Sequence, residues 1–114
     1  MKFSESLKKN SDFQQVYRRG TSNANKYLVM YVKENRLERN RIGISVSKKV
    51  GNSVVRHHLT RLVREAYRLK EDCFCKGLDV VVICRVSSKD CTQKQIADAL
   101  YHLGRIHHIM EDKE

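Results

Sequence analysis

Four arginines recur in one stretch of this chain, SKKVGNSVVRHHLTRLVREAYR, residues 47–68, and their chemistry is that of phosphate recognition. A guanidinium is planar, permanently charged, and able to grip a phosphate with two parallel N–H bonds. At about 100° per residue, a helix over this stretch lines up His57, Arg61, Arg64 and Arg68 on one ridge, at i, i+4, i+7 and i+11. Arg56 and His58 fall on opposite flanks of that ridge. An ordinary solvated helix face mixes signs and pairs Glu with Lys. Here only Glu65 interrupts the cations, so an external anion is needed to offset their repulsion. Upstream, Lys48 and Lys49 sit beside the Gly51–Asn52 turn that leads into the helix N-terminus. Free backbone amides there favour an anion. The ridge is therefore a candidate contact for RNA or DNA.

A second group of residues suits a different chemistry. Tyr27 and Tyr31 alternate onto one face of a strand, and Gly43, Ser45 and Ser47 give a neighbouring strand a small, polar face. Phe13 and Tyr17 share one face of a short helix and can border the same trough. Bases of a single strand stack on such rings for about 1–3 kcal/mol each. Burial of Phe13 and Tyr17 in a core is the competing structural role.

No nucleophile, base and orienting group stand together, so the chain is not expected to be catalytic on its own. His57 and His58 are adjacent, diverge by about 100° on a helix, and do not form an acid–base pair across one substrate. The four cysteines, Cys73, Cys75, Cys84 and Cys91, include no C-x-x-C pair, which argues against a zinc site and for free thiols in a reducing compartment. The acidic residues are scattered, which speaks against a protein-only nuclease built on clustered metal-binding carboxylates.

Composition agrees with a polyanion partner. The 114 residues carry 23 Lys and Arg against 13 Asp and Glu, a net charge of +10; such a field draws in nucleic acid and releases counterions on binding. With 40% hydrophobic residues the chain can bury a core, and its length suits one domain over residues 1–114. No apolar run is long enough to span a membrane, and the first residues lack the apolar core of a secretory signal. The expectation is a cytoplasmic protein with no membrane partner.

The elements that must position these groups follow from periodicity. NSDFQQVYRRG reads as a helix, with Ser11 and Gln14 as a capping box and Gly20 as its stop. Lys26 to Val32 and Arg41 to Ser47 read as strands joined by a charged hairpin connection. Residues 51–72 form the long helix, whose apolar stripe is Val55, Leu59, Leu62, Ala66 and Leu69. Leu78 to Val86 is apolar on both faces and so a central strand. A further short strand could lie near Arg85 to Ser88. A last helix begins at a capping box of Thr92 and Gln95, and its apolar stripe is Ile96, Ala99, Leu100, Leu103 and Ile106. The order α-β-β-α-β-α predicts an α+β fold: three helices on a small, mostly antiparallel sheet of about four strands.

SVSKKVGNSVVRHHLTRLVREAYR closely resembles the signature segment of the bacterial ribonuclease P protein subunit, and NSDFQQVYRRGTSNANKYLVMYV resembles that family's N-terminal half. The family usually shows Arg-Asn-Arg where this chain has Arg56, His57 and His58. The resemblance implies a left-handed βαβ crossover, as in a related ribosomal-protein domain, which the general handedness rule would not predict. It implies a subunit of a ribonucleoprotein that removes the 5′ leader of precursor tRNA, with the active site and its Mg²⁺ in a catalytic RNA. It implies one protein copy per RNA, the protein itself being monomeric. Carried onto this sequence, Lys48, Lys49, Asn52, Arg56, Arg61 and Arg64 would contact the catalytic RNA, and the helical ridge and its flank add His57, His58 and Arg68 to that set. Phe13, Tyr17 and Tyr31 would line the leader cleft, to which the strand faces add Tyr27 and Ser45. The alternative is a basic RNA-binding module of a ribosomal or translational protein without associated catalysis.

Overall fold

The computed structural model describes residues 2–111. Eight regular elements follow in order: β1 (Ser4–Ser6), α1 (Asn10–Arg19), β2 (Thr21–Ala24), β3 (Leu28–Glu34), β4 (Asn40–Val46), α2 (Ser53–Leu69), β5 (Leu78–Cys84) and α3 (Gln93–Ile106). The class is α+β, as expected, but the sheet has five strands in the order β1-β4-β5-β3-β2.

Pairing departs from expectation in one instructive way. β3 and β4 are consecutive yet form no hairpin. β5 lies between them, antiparallel to β3 and parallel to β4. The burial of β5 explains this placement: six of its seven residues are buried, and only a central position covers both faces of such a strand. A helical crossover, α2, then carries the chain from β4 back to a parallel neighbour. The sheet is consequently mixed, with β1–β4 parallel and β2–β3 antiparallel at its edges.

Helices cover both faces. Leu28, Met30, Val32, Ile42, Val80 and Val82 face α2 and α3 and form the larger core with Leu59, Val63, Ile96 and Leu103. On the opposite face α1 lies on a smaller cluster of Leu7, Val16 and Val81, flanked by Phe13, Tyr17, Tyr31 and Ile83. Gly43 makes that docking possible. A Cβ there would stand 2.7 Å from the Phe13 ring, closer than any side chain tolerates, so the bare backbone lets the ring lie against the sheet.

Several local details differ from the sequence reading. α1 is capped by Lys9 without a side-chain bond, so Ser11 and Gln14 form no capping box. Gly20 ends α1 in extended backbone, not in the left-handed region. Its role is spatial, since a Cβ would meet the Val16 and Val32 carbonyl oxygens at 2.6 and 2.8 Å. The Thr92–Gln95 capping box is present in full. Residues Val86–Ser88 form a 3₁₀ turn, not a strand.

Candidate nucleic-acid interface

The arginine ridge begins at a built helix start. Val50 is buried and closes the preceding turn through its N–H to the Ser47 carbonyl at 3.1 Å. That turn leaves Lys48 and Lys49 exposed. Asn52 is the N-cap of α2; its Oδ1 accepts the Val55 N–H at 3.0 Å. Asn52 thus orients the helix start, and its side-chain amide nitrogen is what remains for a ligand. The first turn of α2 holds no acidic residue, so the positive end of the helix dipole faces outward uncompensated.

The buried stripe of α2 is Leu59, Val63, Ala66 and Tyr67, rotated slightly from the predicted one. Val55 and Leu62 are only partly buried, and Leu69 is 58% exposed. Tyr67 is buried where Leu69 is not, its hydroxyl within 2.7 Å of Ser4 Oγ and 3.2 Å of Asn40 Nδ2. The opposite ridge is as predicted: His57, His58, Arg61, Arg64 and Arg68 are exposed. Among the described residues, neither Arg61 nor Arg64 has an ion-pair partner. Arg68 does: Glu65 receives its Nε at 2.9 Å and its terminal nitrogen at 2.5 Å. These bonds hold the Glu65 carboxyl below its ordinary range. Arg56 is half-buried, and its Nε is buried without a hydrogen-bond partner. That is a donor the folded chain leaves unsatisfied.

The aromatic trough lies across the sheet from α2. Tyr17 meets Tyr31 edge-on with ring centroids 5.1 Å apart, and Phe13 stands 6.4 Å from Tyr17. Burial raises the titration of the Tyr17 hydroxyl above its ordinary value, against a hydrogen bond with Ser45 that lowers it. The ring therefore stays neutral beside any phosphate. A shallow cleft between α1 and β4 is lined by Lys8, Asn10, Phe13, Tyr17 and Ser45. Strand register extends it: Ser45, Ile83, Val29 and Ala24 stand side by side across four strands. This row is a floor that reading the aromatics alone did not find. Strict alternation of the strand residues, once the pairing order is known, identifies it.

Tyr27 is not part of this trough. It precedes β3, packs with the α2–α3 core, and its hydroxyl accepts from Gln95 Nε2 at 3.4 Å. The structure thus brings Phe13, Tyr17, Tyr31 and Ser45 together and places Tyr27 on the other side of the sheet.

Charge is sorted along the strands. Leu28, Cys84 and Val46 are register partners at one end of the sheet, and the segments leaving that end carry exposed Lys26, Lys48, Lys49, Arg85 and Lys89. Lys26 and Arg85 were not singled out from sequence; a cation just beyond an apolar strand is their only signal. At the opposite end Asp79 is buried and gripped by Arg41, with Nε and a terminal nitrogen at 2.8 and 2.7 Å. Asn35 adds a bond at 3.0 Å and Asp12 lies 3.5 Å from Arg41. The basic end links the trough to the start of α2. Among the described residues no group of three or more His, Cys, Asp or Glu is placed to hold a metal ion, and no helix is long and apolar enough to cross a membrane.

Known proteins share both the sequence and this architecture. The family model described as Ribonuclease P matches residues 1–107. The ribonuclease P protein component of Lachnoclostridium phytofermentans is 54% identical over 111 residues, 97% of this chain and 96% of the relative. That of Clostridioides difficile is 53% identical over 98 residues, 85% of this chain and 86% of its own length. The solved RNase P protein of Staphylococcus aureus superposes with a TM-score of 0.87 at 38% identity, covering 93% of this chain and 97% of that one. The Thermotoga maritima RNase P protein gives 0.81 at 30% identity, over 88% and 96%. A family match along nearly the whole chain, in agreement with the superposed folds, shows that this chain belongs to the ribonuclease P protein family.

Proposed function

We propose that the chain is the protein subunit of a ribonuclease P holoenzyme, binding the catalytic RNA through α2 and the single-stranded 5′ leader of precursor tRNA in the α1 trough. The observation that carries this reading is the pair Arg61 and Arg64, exposed and without an ion-pair partner among the described residues, on the side of the sheet opposite the trough. Two RNAs can then be held at once without competing for one surface. On this reading Lys48, Lys49, Arg61 and Arg64 neutralise phosphates, and Arg56 Nε gains the acceptor it lacks. Arg68 contributes less because Glu65 already neutralises it. Tyr17 and Tyr31 offer ring surface to unstacked leader bases, while Phe13 is mostly spent on packing against Gly43.

Chemistry at the scissile phosphate belongs to the RNA in this account. The described residues make no cage for Mg²⁺, so the ion the family resemblance implies would rest on RNA phosphates. The protein's part is to bind, orient and neutralise, working in the cytoplasm as one copy per RNA. Reconstitution tests this: the protein is mixed with a bacterial ribonuclease P RNA and precursor tRNA at low Mg²⁺, and correct 5′ cleavage is followed. The proposal expects faster cleavage than by the RNA alone; no gain would overturn it.

A further inference from the structure

Val54 is 75% exposed, more than any other large apolar residue described, and it lies in the first turn of the cationic helix. A depression in the surface there is walled by Ser53, Val54, His57, His58 and Arg61 and by no carboxylate. Around the helix axis Val54 and Arg61 stand within about 20° of each other, two turns apart, with His57 and His58 flanking them in the turn between. Neither imidazole has a hydrogen-bond or ion-pair partner among the described residues. Glu65 borders the next depression, with His58, Arg61 and Gln93; its carboxylate feels the Arg61 charge but is bonded by Arg68. α3 contributes to these walls the neutral Gln93 alone.

An apolar side chain at the centre of a phosphate-binding ridge needs a matching surface when the ridge docks. Phosphate oxygens do not supply one, because covering Val54 with them would strip water from the anion without return. A nucleobase does: it has an apolar face, stacks on an imidazole, and trails a phosphate within reach of an arginine. We infer that the Val54–His57–His58–Arg61 depression is a seat for one unpaired nucleobase of the catalytic RNA, with Arg61 on the adjoining phosphate. This rests on the docking role proposed above for α2, but assigns its first two turns a stacking function and not only charge neutralisation.

Binding to a ribonuclease P RNA across a salt series tests the seat. Val54→Ser, at an exposed helical site where the two residues have similar propensity, should weaken binding about fivefold to thirtyfold with an unchanged slope of log K against log salt. His57→Ala/His58→Ala should lose a comparable factor, and His57→Phe/His58→Phe should recover most of it. Base-specific chemical probing of the RNA should show one unpaired base protected by the wild-type protein and by Arg64→Ala, and exposed with Val54→Ser. Wild-type affinity for Val54→Ser, a loss accompanied by a shallower slope, or equal losses for the Ala and Phe pairs would overturn the inference. If Arg64→Ala also left affinity and slope untouched, the docking role of α2 would itself fail. A normal loss for Arg64→Ala beside an inert Val54→Ser would remove the base seat alone.

Discussion

Arg68 is ion-paired with Glu65 whereas Arg61 and Arg64 have no such partner among the described residues, and that pairing sets how much each can give to an RNA. Arg61→Ala and Arg64→Ala should each weaken binding to the catalytic RNA and reduce the salt slope by about 0.7–0.9 for every phosphate no longer neutralised. Arg68→Ala should change the slope less, because Glu65 already accepts two of its N–H groups. Titration of binding against salt reads all three. In the trough, Tyr31→Ala should weaken precursor tRNA more than mature tRNA, measured as the ratio of their affinities for the reconstituted particle. The ridge was legible in the sequence because helical spacing alone fixes which side chains share a face. Tyr27 was not. Alternation put it beside Tyr31, but the strand begins one residue later, at Leu28. There Asn25 Oδ1 accepts from the Tyr27 and Leu28 N–H groups and turns the chain before the two-residue period starts.

At the scale of elements, the two docking contacts on the α1 face carry separate predictions. Gly43→Ala pushes a methyl to within 2.7 Å of the Phe13 ring and should destabilise by about 1–3 kcal/mol. It should also disturb leader binding, because α1 must lift. Arg41→Ala leaves the Asp79 carboxylate buried and short of its main partner, at a cost of about 3 kcal/mol in denaturant unfolding. Burial of Asp79 works to raise its titration, but the bonds from Arg41 and Asn35 outweigh it and hold the carboxyl below its ordinary value. The ionised form is thus favoured by folding. Its contribution is complete above the unfolded carboxylate range near about pH 4 and is lost as pH falls through the lower folded value. Arg41→Ala should therefore flatten the acid side of the stability profile. Sequence showed the long elements but not β1 and β2. Ser-Glu-Ser and Thr-Ser-Asn-Ala are short, polar edge strands with β2 exposed throughout, so no hydrophobic period marks them. The pairing order was hidden for a related reason: which strand lies in the middle depends on a crossover between distant segments.

For the whole molecule, a net charge of +10 matters through its distribution. Cations crowd one end of the sheet and the outer side of α2, while Glu5, Asp12 and Asp79 collect around Arg39 and Arg41 at the other end. The trough and the ridge lie on opposite faces of one sheet. Two candidate RNA surfaces could be read from the residues; their back-to-back arrangement depends on α1 and α2 covering different faces, which no local pattern reveals. Crosslinking in the assembled particle tests the arrangement most directly. With Cys73→Ser and Cys75→Ser removing the accessible thiols, Ala24→Cys on the trough floor and Ser53→Cys at the start of α2 would each carry a short photocrosslinker, in the presence of catalytic RNA and precursor tRNA. The account predicts that Ala24→Cys captures the 5′ leader and Ser53→Cys captures the catalytic RNA; capture of the same RNA by both positions would contradict it.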